Sequence, residues 1–502
     1  MDKLIYAIIF LPFVASIIIY NTIFSDNEKT VRIVSKIFAT STLFLSLILL
    51  VLFDFSQPDY AIETDFRWIN ILGININFTV DAISLLFTVL AAFIFLIAIH
   101  TSKGIIKKNY KLYYSLLIFI QTAINGCLFS KDMFLFLTFS LLAIMPAFLI
   151  ILKWGSANRE QTAIKYVIYK AFSFVFIFAG FLILYFLNLE YTGILSADIY
   201  DIDATQMPDI IRNVVFFLFL TGLVINISVV PFHRWNIEGQ VNAPTPLSII
   251  IQAVINNVSA FCILRFILLF FYKELSIYSS EIILLSFISI FYTLICMTKE
   301  QELKKIIAYT SIFNTGIFLI GFASATTEGI TGAIYQLFSY SLIICGLYLS
   351  ENYIFRRTGT GNIKKLCGLK ESLRTLMFVL FIFIAAYSFI PLFSGFNVLI
   401  MIITGAFMIH STSIINAKML TMLSYIIIMI SGINLLCTYN NIFSGELSDF
   451  LKNKNIKDIK TKQLAFLITI AIILIFLGFF PSLTTEIITD SVNNAYNLIG
   501  AY

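Results

Sequence analysis

Fourteen apolar stretches of membrane-crossing length recur along the chain, and they limit its fold more than any other feature. A stretch of about 20 apolar residues crosses a bilayer as a helix, because only helices and closed barrels pair every backbone group in lipid. The composition agrees, since 59% of the 502 residues are hydrophobic and 12% are charged. The sequence therefore predicts an all-α polytopic membrane protein embedded in a lipid bilayer. The predicted spans, numbered 1 to 14, cover residues 4–24, 32–53, 78–100, 111–129, 131–152, 162–187, 212–232, 246–272, 279–298, 302–324, 328–355, 373–408, 411–437 and 463–483.

Two of these spans are interrupted by proline. Pro231 breaks span 7 before a short polar connection, and Pro391 breaks span 12. Proline removes a backbone donor and clashes with the preceding turn, so both helices should be discontinuous. Discontinuous helices in corresponding places of two halves are typical of transporters built from inverted repeats. The predicted parts are 1–110 (N-terminal spans 1–3), 111–272 (first repeat, spans 4–8), 273–440 (second repeat, spans 9–13) and 441–502 (cytoplasmic loop and span 14).

The basic residues predict how the chain is oriented in the membrane. Most of the 33 Lys and Arg residues lie in loops after odd-numbered spans, whereas the opposite loops are acidic, as at Asp198 and Asp201. By the positive-inside rule, both termini should lie on the non-cytoplasmic side of a bacterial-type inner membrane. The net charge of +5 then reflects loop topology, and we expect no nucleic-acid partner.

Cofactor and metal motifs are absent from the sequence. Its six cysteines form no CxxC motif and no Cys/His cluster, which argues against a metal site. No Gly-rich phosphate loop, nucleophile triad or flavin motif is visible. We therefore expect the chain to bind no redox cofactor and to have no catalytic site of its own.

Several motifs carry a resemblance to a known family. They are VDAIS at 80–84, PFHRW at 231–235, NAPTPLS at 242–248, LRF at 264–266 and ELKKIIAYTS at 302–311. Together they resemble antiporter-like proton-translocating membrane subunits. The resemblance is strongest to the chain M (chain 4) type of respiratory complex I, an NADH-quinone oxidoreductase, and extends to the D-type subunit of multi-subunit Na⁺/H⁺ antiporters.

This resemblance implies a function and a set of partners. In the family, a glutamate on span 5 tunes a lysine on span 7, and protons pass along a polar axis. A lysine on span 8, histidines in the second half and an acid or base on span 12 complete that axis. Charges inside a membrane are costly and are kept for transport. The resemblance also implies other membrane subunits as partners, with NADH, flavin, Fe–S clusters and quinone bound by other subunits.

Six positions of this sequence correspond, by their spacing from the shared motifs, to relay positions of the family. None of the six carries a group that titrates near pH 7. Leu141 stands where the span 5 glutamate belongs, Asn226 replaces the span 7 lysine and Asn257 replaces the span 8 lysine. The other three positions are occupied by Asn314, Tyr340 and Leu399. An amide cannot exchange a proton in this range, although it can orient water. We therefore expect a degenerate proton path.

Polar and charged residues still mark a candidate path for protons or Na⁺. The favoured interpretation is that the amides satisfy one another and the broken backbone between helices; the alternative is a residual water or ion path. The candidates are Asn226, His233, Gln252, Asn256, Asn257, Lys170, Lys304, Lys305, Asn314, Gln336 and Tyr340.

The charged candidates have structural interpretations too. Lys170, near the start of span 6, is expected to extend its ammonium group to the membrane surface, with a relocated proton carrier as the alternative. Lys304 and Lys305 are expected to set topology rather than to gather ions. His233 is either the last titratable group of the first half-channel or a cap on the helix break. Arg265 is expected to form a structural ion pair.

Three functions remain open. The first is a membrane-arm subunit of a complex I-like NADH-quinone oxidoreductase whose proton path is degenerate. The second is a subunit of a multi-subunit Na⁺/H⁺ antiporter. The third is a structural or assembly paralogue that conducts no ion.

Overall fold

Helices dominate the computed structural model, which describes residues 1–21, 27–55, 61–156, 158–202, 207–409, 416–452 and 454–500. In this part of the chain, 12 helices are long and apolar enough to cross a membrane. The bent pair Gln463–Phe479 and Ser482–Asn494, with 68° between its halves, raises that number to 13 if it is one span. The predicted all-α polytopic membrane fold is confirmed. The count of fourteen spans and the inverted repeat stay predictions.

The helices alternate with short connections along the chain. Up to residue 277, they are α1 (Asp2–Tyr20), α2 (Glu28–Leu52), α3 (Ala82–Thr101), α4 (Tyr110–Phe129), α5 (Met133–Trp154), α6 (Arg159–Thr192), α7 (Asp209–Asn226), α8 (Arg234–Asn242), α9 (Thr245–Ile250) and α10 (Asn257–Ile277). They continue as α11 (Ser279–Lys299), α12 (Leu303–Ala323), α13 (Thr327–Thr358), α14 (Arg374–Tyr387), α15 (Ser394–Phe407), α16 (Ala417–Phe443), α17 (Asp449–Lys452), α18 (Thr461–Phe479) and α19 (Ser482–Gly500). A π-helical segment, Ile251–Asn256, joins α9 to α10.

Two small antiparallel sheets lie between α2 and α3 in the sequence. One pairs β1 (Ile62–Thr64) with β4 (Phe78–Val80), with Ile62 opposite Val80. The other pairs β2 (Arg67–Ile69) with β3 (Ile74–Asn75). Some of their backbone groups also pair outside the two sheets, since the Asn75 N–H donates to the Asp132 carboxylate at 3.0 Å and Phe78 forms a bridge with Ser130.

Polar side chains set where the helices begin. Asp81 and Ser84 form a reciprocal capping box at the start of α3. The Asp132 carboxylate accepts from the N–H groups of Phe134 and Leu135 at 2.8 and 3.1 Å and so caps α5. Such caps satisfy donors that have no partner within the helix, which matters most where lipid excludes water.

The chain divides into two compact units. Unit 1 comprises the described residues of 1–227, 242–275 and 490 onward, and therefore holds α1–α7, α9 and α10. Unit 2 comprises those of 228–241 and 276–489, and holds α11–α18 and nearly all of α8. The interruption of span 7 coincides with a boundary between the units, because the span ends in unit 1 and its continuation belongs to unit 2.

Span 7 ends earlier than predicted. The helix stops at Asn226, since Ser228 takes a left-handed backbone conformation (φ 64°) and Pro231 has no N–H to continue the ladder. The residues expected to form a polar connection instead form the helix α8, whose Trp235, Asn236 and Gln240 are fully buried. The sequence predicts a short polar connection here without assigning its secondary structure, and tertiary packing buries much of that connection as a helix.

Span 12 is also divided in two. α14 ends at Tyr387 and α15 begins at Ser394, on either side of Pro391. Phe389 and Leu392 between them have positive φ angles of 56° and 85°. For span 13, the predicted first residues 411–415 lie outside the described residues, and its helix is seen from Ala417.

Small residues let neighbouring helices approach closely in each unit. In unit 1, the Ser173 hydroxyl of α6 donates to the Gly222 carbonyl of α7 at 2.8 Å. In unit 2, the Ser286 hydroxyl of α11 donates to the Gly316 carbonyl of α12 at 2.5 Å. Glycine and serine at helix contacts are typical of membrane bundles, where packing and hydrogen bonds replace the hydrophobic drive of water.

Candidate functional site

The most unusual group in unit 1 is the lysine Lys170. It lies eleven residues after Arg159, the first residue of α6, and hence roughly 16 Å along the helix axis at 1.5 Å per residue. Its side chain is buried, with 3% of its surface exposed. The prediction that its ammonium group reaches the membrane surface is wrong, because the helix begins earlier than expected and holds Lys170 deep in the bundle.

Three oxygens bind the Lys170 ammonium group. Nζ donates to Oδ1 of Asn226 at 2.5 Å, to Oδ1 of Asn256 at 3.0 Å and to the Asn226 backbone carbonyl at 3.2 Å. Asn226 is the last residue of α7, where carbonyls lack helical partners and the helix dipole is negative. The helix break therefore supplies the polar end that a buried cation requires.

Sequence neighbours of Asn256 extend this site. The Asn256 amide donates to Oε1 of Gln252 at 2.9 Å, within the π-helical segment. Gln252, Asn256 and Asn257 are all buried. A π-helical turn inside an α-helix often marks a functional position, because it rotates side chains away from the regular helical face. Here the π-helical segment contains Asn256, whose amide oxygen binds Lys170.

Close packing of α6 on α7 positions Lys170. Ser173 lies one turn beyond Lys170, and its partner Gly222 lies one turn before Asn226, as two antiparallel helices require. A side chain at Gly222 would meet Ile177 of α6, whose Cγ1 lies 2.5 Å from where a Cβ would be. The absence of that side chain allows α6 to bring Lys170 within hydrogen-bonding distance of α7.

A small cavity adjoins the ammonium group. It has a volume of about 40 Å³, and Lys170 and Asn226 line it together with Ser140 of α5 and Ser173 of α6. A site of roughly 10–15 Å³ on this measure already holds one water, so this cavity has room for water. Serine hydroxyls on its wall can orient such water.

Leu141 does not join this site. Its side chain is 44% exposed, whereas the preceding residue Ser140 faces the cavity. Of the two residues, the serine therefore occupies the place from which an acid could act on the buried lysine. Leu399, the position on span 12, is buried in unit 2.

A second polar cluster lies in unit 2 and is centred on α8. The Asn236 amide donates to Ser228 Oγ at 2.6 Å, and the Gln240 amide donates to Asn236 Oδ1 at 2.8 Å and to Ser311 Oγ at 2.9 Å. The Tyr348 hydroxyl donates to Oε1 of Gln240. All five groups are buried. Sequence reasoning missed Asn236, Gln240 and Tyr348; the i, i+4 spacing of the two amides is a helical signal that the proline break obscured.

Three predicted candidates of unit 2 make contacts between α12 and α13, two with each other and the third with Thr310. The Gln336 amide donates to Oδ1 of Asn314, and the hydroxyls of Tyr340 and Thr310 lie 3.0 Å apart. These contacts join α12 to α13. Among the described residues, the Asn314 amide nitrogen is buried without a hydrogen-bond partner, so the interpretation in which these groups satisfy one another stays a prediction.

The remaining predicted residues make simpler contacts. Lys304 donates to the Val241 carbonyl at 3.0 Å, while Lys305 lies 3.8 Å from Glu300. The His233 ring packs edge-on against Tyr292, with 4.9 Å between ring centroids. No group of three His, Cys, Asp or Glu side chains suited to a metal ion occurs among the described residues.

Arg265 forms the ion pair that the sequence predicts. Its guanidinium lies 3.2 Å from the Asp81 carboxylate and donates to the Tyr200 hydroxyl at 2.8 Å. Asp81 also caps α3, so the pair ties the end of one helix to the side of another.

Known proteins resemble this chain over nearly its whole length. NADH-quinone oxidoreductase subunit M of Rickettsia felis is 26% identical over 502 residues, covering 97% of both chains. Among solved structures, a chain of respiratory complex I from Thermus thermophilus with bound NADH superposes with a TM-score of 0.84 at 19% identity, covering 98% of this chain and 99% of that one. A chain of the Mrp complex from Dietzia sp. also gives 0.84, at 17% identity, covering 99% and 98%.

These structural neighbours are subunits of multi-subunit membrane complexes, and the present chain shares their multi-pass fold. The family described as "NADH:quinone oxidoreductase/Mrp antiporter, TM" matches residues 130–424, which is more than half of the chain. That match includes Lys170, the helix break at Pro231 and the polar cluster around α8. The chain belongs to this family of NADH:quinone oxidoreductase and Mrp antiporter membrane subunits.

Proposed function

We infer that the chain is a membrane-arm subunit of a complex I-like NADH-quinone oxidoreductase. The observation that carries this inference is the end-to-end correspondence with a subunit M, which covers 97% of both sequences. The fold supports it, since a complex I chain superposes over 98% of this one. The family's relay residues are replaced, so the proton path of such a subunit would differ from the usual one.

A multi-subunit Na⁺/H⁺ antiporter is the second candidate. The Mrp chain superposes with the same TM-score of 0.84, so the fold favours neither complex. The sequence favours the first, because the full-length relatives at 25–28% identity are named NADH-quinone oxidoreductase subunit M. A structural paralogue is the third candidate, supported by Leu141, Asn226 and Asn257 in the places where the resemblance expects relay groups.

The proposal assigns partners and a location. Other membrane subunits pack against this chain, and NADH, flavin, Fe–S clusters and quinone are bound by other subunits. Protons are the transported ion. The chain lies in a bacterial-type inner membrane with both termini on the non-cytoplasmic side, as the distribution of basic residues in loops indicates.

Purification of the tagged chain from its own cells in mild detergent tests the proposal. We expect flavin- and Fe–S-containing subunits to copurify and the complex to reduce quinone with NADH. Copurification with small membrane subunits alone, together with Na⁺/H⁺ exchange in proteoliposomes, would favour the antiporter. Intact redox activity in cells that lack this chain would contradict the first proposal.

A further inference from the structure

We propose that Lys170 is the proton-exchanging group of unit 1, relocated to α6 from α7 and the start of α10. This inference rests on the proposed function, in which the complex moves protons. Asn226 and Asn256 then act as positioning residues that hold the lysine, and the cavity lined by Ser140 and Ser173 supplies its water.

The location of the ammonium group is the first argument. Nζ of Lys170 lies 2.5 Å from Oδ1 of Asn226, the position at which the resemblance places a lysine. It lies 3.0 Å from Oδ1 of Asn256, next to the second such position, Asn257. A positive charge therefore occupies the space between two positions that have lost theirs, although it is attached to another helix.

The cost of burying the charge is the second argument. An ammonium group inside a membrane is costly, so such residues are rare and are kept for a reason. Leucine or methionine would fill the same space without that cost. The three oxygens at 2.5–3.2 Å offset the penalty, yet they do not explain why an ammonium group is present.

The chemistry of the ligands is the third argument. A carboxylate would hold lysine in its charged form, whereas an amide has both an acceptor and a donor end. Asn226 and Asn256 present their oxygens to Lys170 in the structure. After rotation, their NH₂ groups could donate to a neutral amine, so the same two residues can accommodate either protonation state.

The proposed step is a simple proton exchange with water. An N–H bond of the Lys170 ammonium group breaks, its electron pair stays on nitrogen, and the proton passes to a water in the cavity. The neutral amine then takes a proton from a second water, which restores the ammonium group. No oxidant or reductant is consumed, and the protein returns to its starting state.

The test compares three variants of the whole complex in proteoliposomes. Lys170→Met removes the titrating nitrogen and keeps the volume, Lys170→Arg keeps the charge but does not release a proton near pH 7, and Lys170→Met/Asn226→Lys returns a lysine to α7. The readouts are subunit composition, NADH:quinone electron transfer with an uncoupler, and protons moved per NADH. Lys165→Met, on the same helix, is the matched control.

We expect both single variants to assemble and to move fewer protons per NADH than the wild type, and the double variant to regain much of the loss. Wild-type proton transport in Lys170→Met or Lys170→Arg would overturn the proposal. If Lys170→Met does not assemble, Lys170→Arg and the double variant decide. Failure of all three to assemble would assign Lys170 a structural role and overturn the proposal as well.

Failure of the proposed function gives a different result. The wild-type complex would then lack NADH:quinone activity, whatever residue stands at position 170. In that case, the same variants are compared for Na⁺/H⁺ exchange in proteoliposomes. Loss of exchange in Lys170→Met alone would retain the proton-exchanging role of Lys170, and unchanged exchange would overturn it.

Discussion

Nζ of Lys170 and Oδ1 of Asn226 lie 2.5 Å apart, joining the first half of α6 to the last residue of α7. The two residues are 56 positions apart in the sequence. Their contact depends on the close approach of two antiparallel helices and on the end of α7 before Pro231. The predictions below follow from this contact and from the clusters that stabilise each unit.

Asn226→Asp should reduce proton transport without preventing assembly. The new carboxylate would lie beside the Lys170 ammonium group and hold it charged, because an opposite charge at this distance favours the ionised form. Protons moved per NADH in proteoliposomes should fall several-fold if Lys170 exchanges protons. Asn226→Gln keeps the amide and serves as control. Full transport in the aspartate variant would contradict the prediction.

Gly222→Ala should destabilise unit 1 by about 1–3 kcal/mol, the usual range for overpacking. Its methyl group would lie 2.5 Å from Cγ1 of Ile177, so α6 and α7 must separate. Ile177→Ala removes that obstacle. We therefore expect the double variant to lose less stability than the two single variants lose together. Thermal unfolding in detergent measures all three.

A matched glycine substitution serves as the control for the comparison of the Gly222 and Ile177 variants. A Cβ at Gly239 on α8 meets nothing within 4 Å, so Gly239→Ala should be neutral or slightly stabilising. Strictly additive losses at Gly222 and Ile177 would show that their contact does not limit the approach of α6 to α7.

Gln240→Leu should be among the most destabilising changes in unit 2. It removes hydrogen bonds to Asn236, Ser311 and Tyr348, all of which are buried. Each buried polar group deprived of a partner costs about 1–3 kcal/mol. The unfolding midpoint in detergent should fall by several degrees. Gln301→Leu, at an exposed position, is the control and should change it little.

Asp81→Ala should destabilise unit 1 more than Ser84→Ala does. The aspartate both caps α3 and pairs with Arg265, whereas the serine only completes the capping box. A lost cap costs about 1 kcal/mol, and leaving a partly buried guanidinium without its carboxylate adds to that. Equal losses in the two variants, measured by thermal unfolding, would show that the ion pair contributes nothing.

Much of the fold follows from local chemistry and was therefore predictable. A helix in lipid must pair its own backbone, so apolar length alone identifies most of the spans. The proline at 231 and the one at 391 mark the two interruptions, since proline breaks helices wherever it stands in their interior. The resemblance to the family could be recognised because several of its motifs lie at and shortly after the interruption at Pro231.

The candidate site was only partly predictable. The amides at 226 and 256 could be selected as polar residues in apolar spans, but no local pattern shows that a lysine on another helix binds both. The hydropathy pattern also predicted a polar connection at α8. A hydropathy scale scores Asn236 and Gln240 as polar even though both form hydrogen bonds inside the protein. Which side chains meet across long sequence separations depends on how the helices pack.

The sequence by itself thus determined the membrane class, the prolines at the helix breaks and the uncharged side chains at Leu141, Asn226 and Asn257. Those features depend on backbone satisfaction in lipid and on side-chain identity, which are local. Only the tertiary structure decided that Lys170 is buried and bound by Asn226 and Asn256. The physical reason is that a charge is accommodated in a membrane only by oxygens brought to it from other helices, and helix packing determines which oxygens those are.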